Sequence, residues 1–185
     1  MRVIGTVGLP GSGKGEAANV AKELDIPVVT MGDVIREECR ERDLDPAKHH
    51  GEVAKTLREE EGPAAIAERT LPRVQEALES ADTVLIDGIR SDVEVERFKE
   101  EFGSDFYLVS IEAPFEERAQ RLSNRGRDGA DTRTGETLRE RDQRELNFGM
   151  EKAMDQADVV VENTGTLASF RQTIETLLTG EIHEQ

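Results

Sequence analysis

Residues 8 to 16 read Gly-Leu-Pro-Gly-Ser-Gly-Lys-Gly-Glu, and up to Lys14 they match the spacing G-x-x-x-x-G-K. A glycine-rich turn between a strand and a helix leaves successive backbone N–H groups unpaired and facing inward, and the helix N-terminus adds partial positive charge. Gly8, Pro10, Gly11, Ser12, Gly13, Lys14 and Gly15 are therefore expected to cradle the phosphates of ATP, with Lys14 reaching the outer ones. A turn that merely joined strand to helix would leave Lys14 unexplained. Gly15 stands where the pattern normally has the Ser or Thr that holds Mg²⁺. Either the metal is held mostly by phosphates, water and a distant acid, or Glu16 positions it through water. Glu16 in a first helical turn is also simply favourable to the helix dipole.

Three other stretches carry groups suited to phosphate. In TMGDVIREE (30 to 38), Asp33 and Arg36 open a helix, where Asp33 alone would serve as an N-cap but would leave Arg36 without a reason. In IDGIR (86 to 90), Asp87 ends an apolar strand and is placed to hold Mg²⁺ or its water, or else only turns the chain before Gly88. From Arg118 to Arg144 lie eight arginines against five acids, a positive island in a chain of net charge -16. Guanidinium groups on a closing lid neutralise charge on a phosphoryl group in flight. Within that island Arg141 and Arg144 sit three apart on one helical face, whereas Arg118, Arg133 and Arg139 are expected to pair with nearby acids on a solvated surface.

The elements that must position these groups alternate along the chain. Apolar segments 2 to 7, 26 to 30, 83 to 87, 106 to 112 and 158 to 163 read as strands, and helical periodicity fills most of what lies between them. The polar connection at 43 to 51 separates a helix ending near Arg42 from one beginning near Gly51, and 123 to 137 reads as a loop without apolar periodicity. The alternation predicts an α/β fold, a five-stranded parallel sheet with helices on both faces. At 185 residues one domain is expected.

Forty acids against 24 bases argue against nonspecific binding to nucleic acid or anionic lipid. Eighteen of the bases are arginine and only six lysine. That balance fits a halophilic cytoplasm, where a Debye length of ~3 Å at 1 M salt removes self-repulsion; an ordinary acidic cytosolic protein is the alternative. Cys39 is the sole cysteine and excludes an intrachain disulfide, so a reducing, cytoplasmic setting is expected. No targeting segment is recognised, and no apolar stretch nears the ~20 residues of a membrane span. His49, His50 and His183 lack metal-ligand spacing and are expected to be solvated.

The loop G-x-P-G-x-G-K-G resembles that of adenylate kinases and their nucleoside-monophosphate kinase relatives. Gly32, Asp33 and Arg36 match a T-G-D-x-[LI]-R-like segment of that family, and Asp87, Gly88 and Arg90 its D-G-[FY]-P-R segment with one residue missing. The resemblance implies that Asp33, Arg36 and Arg90 bind the acceptor, and that Arg121, in Arg-Leu-Ser-Asn-Arg, stacks on the donor base while Arg125 meets phosphate. Arg141 and Arg144 look like returning lid arginines. Farther on, ADVVVENTGTLASF (157 to 170) is similar to the ending of dephospho-coenzyme A kinases, in which Asn163, Thr164 and Gly165 would meet the donor base; the same three residues also suit an ordinary turn before a capped helix. The blend resembles an archaeal group of P-loop kinase-like proteins. It implies a P-loop NTPase three-layer sandwich with a helical acceptor-binding insertion at about 31 to 62 and an arginine-rich lid at about 122 to 146. The implied activity is ATP- and Mg²⁺-dependent phosphoryl transfer to a small nucleotide-like acceptor, with Lys14, Asp87, Arg125, Arg141 and Arg144 catalytic. Dephospho-coenzyme A is the alternative acceptor, and a non-catalytic ATP-dependent switch the alternative role. Arg58 and Arg69 either reach the acceptor or lie on the surface.

Overall fold

The computed structural model describes residues 1–124, 130–131 and 136–180. Five parallel strands form the central sheet: β1 (Arg2–Val7), β2 (Val28–Thr30), β3 (Thr83–Asp87), β4 (Phe106–Glu112) and β7 (Val159–Glu162), in the order β2-β3-β1-β4-β7. A short antiparallel pair, β5 (Ala130–Asp131) and β6 (Glu136–Thr137), lies outside it, within the stretch expected to be all loop. The helices are α1 (Lys14–Glu23), α2 (Met31–Glu41), α3 (Pro46–Glu61), α4 (Ala65–Leu78), α5 (Asp92–Phe102), α6 (Phe115–Asn124), α7 (Leu138–Glu145), α8 (Glu151–Met154) and α9 (Leu167–Thr179).

Period-2 alternation sorts each central strand between two cores. Val3 and Val7 of β1, Val84 and Ile86 of β3, and Phe106 and Leu108 of β4 face one core, closed by α2, α3, α4, α5 and α8. Ile4, Leu85, Val109 and Ile111 face the other, against α1 and α9. The result is the expected α/β three-layer sandwich. Gly5 in β1 is required by packing: a Cβ there would lie 2.7 Å from Ile89 Cδ1 and 2.9 Å from Phe106 Cζ. Cys39 is buried in the first core, and that burial pushes its thiol pKa up, as befits a structural thiol.

Local chemistry moves some boundaries. Helix α3 begins at Pro46 rather than Gly51, because Asp45 accepts from the Ala47 N–H at 3.0 Å and Pro46 suits the first helical turn. The connection after α2 shrinks accordingly, and both His49 and His50 become helical. Asp33 is not an N-cap; Thr30 occupies that position and Asp33 lies inside the first turn of α2. After α7 the chain breaks from helical geometry at Gly149, whose φ is +134°, and this kink separates the end of α7 from α8.

Arg118 also departs from expectation. It is buried, not solvated, and its guanidinium donates bidentately to Asp142 at 2.9 and 2.7 Å. The same group donates to the carbonyls of Pro10 at 3.1 Å and Ala113 at 3.0 Å, tying α6 and α7 to the turn after β1. Arg139 stacks over the Phe115 ring at 4.0 Å. Arg133 lies outside the described residues. Removing one partner of a buried ion pair strands the other charge. Arg118→Ala is therefore expected to cost about 3 kcal/mol or more in denaturant unfolding at fixed salt, and Arg118→Met with Asp142→Leu to recover at least half. A loss below about 1 kcal/mol for the single substitution would contradict the structural role given to this pair.

Candidate functional site

The turn after β1 has the shape that its glycines require. Gly8, Gly11 and Gly13 take φ of +146°, +80° and +123°, values that L side chains rarely adopt. Space is short as well: a Cβ on Gly11 would lie 2.9 Å from the Arg118 carbonyl oxygen, and one on Gly13 would lie 2.6 Å from Asn163 Nδ2. Gly13 caps α1 with no side-chain hydrogen bond, and around Gly15 there is open space. The start of α1 is thus left without a side-chain cap, an arrangement that favours an anion. The Ser12 hydroxyl is buried and without a hydrogen-bond partner among the described residues.

Lys14 folds back over this turn and donates to the carbonyls of Gly8 and, at 3.2 Å, Leu9. The residue keeps some exposed surface, but its ammonium is enclosed, and burial lowers its pKa from 10.5 to about 8. Glu145 and Asp87 act against that shift, whereas Arg90 and Arg141 add to it. Asp87, Arg90, Arg141 and Glu145 therefore share the surroundings of one ammonium. Three of the four were legible in the sequence. Glu145, buried to 6% exposure, was missed although it joins the others, accepting from Arg90 Nη1 and Arg141 Nε, each at 3.2 Å. Its i, i+4 spacing from Arg141 was the available signal.

Asp87 ends β3 beside Thr30, the residue that leads into α2. Gly88, at φ +101°, packs against Met31 and Gly32, so the turn carrying Arg90 abuts the start of α2. Glu94 of α5 is fully buried and accepts from the Arg90 backbone N–H at 2.8 Å and from Arg58 Nη2 at 3.1 Å. Arg58 extends from α3 over the Phe148 ring at 4.7 Å. Arg36 donates to its own helix neighbour Asp33 through Nε at 3.0 Å and Nη2. Arg69, by contrast, is engaged by Glu38 and Glu61 on another part of the surface.

His50 corrects the expectation of a solvated imidazole. It is half-buried, hydrogen-bonded to the Gly32 backbone, and under the influence of Arg36, Arg90 and Arg58. Burial first, then these cations, lower its pKa; the Gly32 bond works the other way. His49 lies at the surface against Glu52, 3.1 Å away, and His183 is outside the described residues.

On the opposite side of the turn, Arg121 donates to Glu117 at 2.9 Å and to the Asn163 carbonyl at 2.6 Å. Asn163 is buried and donates through Nδ2 to the Ser12 carbonyl at 2.8 Å. The strand β7 thereby delivers its end directly to the glycine turn. Thr164 and Gly165 are exposed and precede Thr166, whose hydroxyl caps α9 by accepting from Ser169 N–H at 3.1 Å. Glu16 pairs with Arg171 of α9 and accepts from Asn19 at 3.4 Å, so its carboxylate ties α1 to α9. Arg144 is exposed on α7, and Arg125 lies outside the described residues. Among the described residues no group of three or more His, Cys, Asp or Glu is placed to hold a metal ion, and no helix is long and apolar enough to cross a membrane.

The lowered pKa of Lys14 has a consequence for stability. The unfolded chain holds the lysine proton with the ordinary value of 10.5 and the folded one with about 8, so stability rises with pH between those values and is reduced below pH 8. Lys14→Met should then stabilise the ligand-free protein at pH 7 by on the order of 2 kcal/mol and flatten that pH dependence, while weakening binding of ATP. Denaturation across pH 7 to 10, paired with calorimetric ATP titration, checks both halves; a destabilised Lys14→Met or undiminished ATP affinity would refute the assignment.

Residues 7–139 match the AAA domain family. A UPF0200 protein of Halobacterium salinarum is 56% identical over 181 residues, covering 98% of this chain and 94% of that protein. A UPF0200/UPF0201 protein of Archaeoglobus fulgidus is 49% identical over 96% of this chain, which spans 55% of that longer protein. Among solved structures, TT1252 from Thermus thermophilus superposes with a TM-score of 0.62 at 21% identity, covering 96% of each chain. Shikimate kinase from Bacteroides thetaiotaomicron gives 0.58 at 17% identity, over 95% of this chain and 96% of that one. At such identities the likeness is one of fold.

Proposed function

We propose, for a chain that belongs to the UPF0200 family and carries a P-loop kinase-like AAA domain, that it transfers the γ-phosphoryl group of ATP to a small, phosphate-bearing, nucleotide-like acceptor. The observation that carries this reading is the meeting of Lys14, Asp87, Arg90, Arg141 and Glu145 at the carboxyl edge of the sheet, beside a glycine turn built for phosphate. Sheets of this kind bind ligands at that edge, where strand order reverses about β1.

The residues fit ATP with Mg²⁺. The start of α1 has no side-chain cap and has open space at Gly15, and Asp87 supplies a carboxylate in the surroundings of Lys14. Bound there, the metal would supply positive charge to the phosphate oxygens. The chain's own groups do the rest by position and charge. Backbone N–H groups of residues 11 to 15 hold phosphate, and Lys14 exchanges the carbonyls of Gly8 and Leu9 for phosphate oxygens. Asp87 would hold the metal or its water. Glu145 presents Arg90 and Arg141 toward the same point, and Arg36 exchanges Asp33 for the acceptor. Arg121 with Asn163, Thr164 and Gly165 borders the donor's base, and Arg125 and Arg144 remain the further lid arginines of this reading. Glu16, already paired with Arg171, serves the contact of α1 with α9 rather than the metal.

The test is phosphoryl transfer from γ-labelled ATP with Mg²⁺ in molar KCl to AMP, CMP, UMP, GMP and dephospho-coenzyme A. One of these acceptors is expected to be labelled; slow hydrolysis with every acceptor unlabelled would overturn the kinase reading in favour of an ATP-dependent switch. With that acceptor in hand, Asp87→Asn should lower kcat about 100-fold or more. Arg36→Ala should raise the acceptor KM about tenfold or more and leave ATP affinity within about twofold. An unchanged acceptor KM would remove Arg36 from that site.

A further inference from the structure

The start of α2 gathers more positive charge than acceptor positioning by Arg36 and Arg90 explains. A Cβ placed on Gly32 would lie 3.2 Å from Arg36 Nη1 and 3.5 Å from His50 Nε2, so guanidinium and imidazole converge on one small volume. Arg90 and Arg58 act on the same imidazole from the turn after β3 and from α3. Arg58 Nε is buried and has no hydrogen-bond partner among the described residues. The carboxylates facing the cluster are each engaged: Asp33 by Arg36, Glu94 by Arg58 and the Arg90 backbone, Glu145 by Arg90 and Arg141. His49 and Glu52 pair with one another on the neighbouring surface of α3.

Resting on the kinase reading, we propose that His50, together with Arg36, Arg58 and Arg90, forms a proton-linked subsite for the dianionic phosphate monoester of the acceptor, and that His50 takes up one proton when that phosphate binds. Electrostatics requires this direction. In the free protein partial burial, and then the three guanidinium groups, lower the imidazole's pKa and so favour its neutral form. A dianion among the same groups reverses the sign of the local field, and the His50 bond to the Gly32 backbone already favours the charged ring. The proton comes from solvent, and no covalent bond changes. His50 is a specificity-determining residue in this scheme: it rewards a doubly charged phosphate over an uncharged hydroxyl compound or a monoanion.

Imidazole NMR on the full chain reads the subsite directly. Three histidines are present, and His50→Gln identifies the His50 signal by its loss. The probes are sulfate, a dianion that does not titrate near neutral pH, and AMP, each added with the glycine turn already saturated by ADP. Both probes are expected to move the His50 titration midpoint upward. Between the free and bound midpoints, sulfate affinity should weaken by up to about tenfold per pH unit as pH rises. In His50→Gln, followed by calorimetry, that slope should vanish, with affinity at high pH within about twofold of the parent. His49→Gln should keep the slope.

An unmoved His50 midpoint at saturating probe, no response of His50 to either probe, or a pH slope that survives in His50→Gln would each overturn the proposal. ADP alone shifting His50 as far as AMP does would assign the subsite to the donor's phosphates and overturn the acceptor assignment. No turnover is needed for any of these readouts, so the subsite stands or falls separately from the phosphoryl-transfer assay.

Discussion

The proposed phosphate site must hold like charges together before any phosphate arrives, and two buried glutamates meet that constraint. Glu145 accepts from Arg90 and Arg141, and Glu94 accepts from Arg58 and from the Arg90 backbone. Without them, four cations from the β3 turn, α3, α7 and α1 would repel one another into solvent, and the crevice would open. With them, the cations keep fixed positions at low entropic cost to a later ligand. Placement of the glutamates follows from secondary structure. Glu94 lies in the first turn of α5, three residues after the Ser91 cap, and Glu145 is one helical turn beyond Arg141. Neither carboxylate needs to touch a substrate for its loss to disorganise several groups that do.

The side proposed for the donor is organised by close approach instead of charge. The glycine turn is clamped between the Arg118 carbonyl and side chain, the Leu122 side chain and the Asn163 amide, so that Cβ atoms on Gly11 and Gly13 have nowhere to go. Those neighbours come from α6 and from the end of β7, elements more than 100 residues downstream. Arg118 couples the turn to α7 through Asp142, and α7 also carries Arg141 and Glu145. One helix therefore leans on the glycine turn through Arg118 and presents charge to the side proposed for the acceptor with its other contacts. A displacement of α7 would be felt at the Pro10 carbonyl and at Arg90 together.

Much of this was legible in the sequence because the signals were local. The five strands, the glycine turn, Lys14 and the acid ending β3 are each defined within a few residues, and apolar alternation with helix-length connections was enough to anticipate a parallel sheet. Asp45-Pro46 is an equally local helix start, but the histidines and polar residues around it resemble a connection, so α3 starts five residues earlier than that pattern suggests. Glu94, His50 and the burial of Glu145 and Arg118 were opaque for a different reason. A charged residue in a chain with 35% charged residues carries no mark of burial; what buries it is a partner 24 residues away for Arg118 and 55 residues away for Glu145. Glu16 shows the reverse: its place after the glycine turn left both a metal role and a helix-dipole role open, and an arginine 155 residues distant engages it instead.

The contrast between surface and crevice carries a last physical consequence. At net charge -16 the molecule as a whole repels anions such as ATP, while the cations gathered around Lys14 would attract them in the proposed function. These two fields differ in range. Repulsion acts through solvent over tens of ångströms at low ionic strength and is reduced to ~3 Å in molar salt. Attraction acts over hydrogen-bond distances between enclosed groups, where mobile ions enter poorly and screening is weak. Rising salt therefore removes the unfavourable field faster than the favourable one, over the range in which chloride does not itself compete for the guanidinium groups. A phosphate site of this construction works against its own surface in dilute buffer and is released from that opposition as ionic strength increases, which is the reverse of the salt response of a site whose whole molecule is basic.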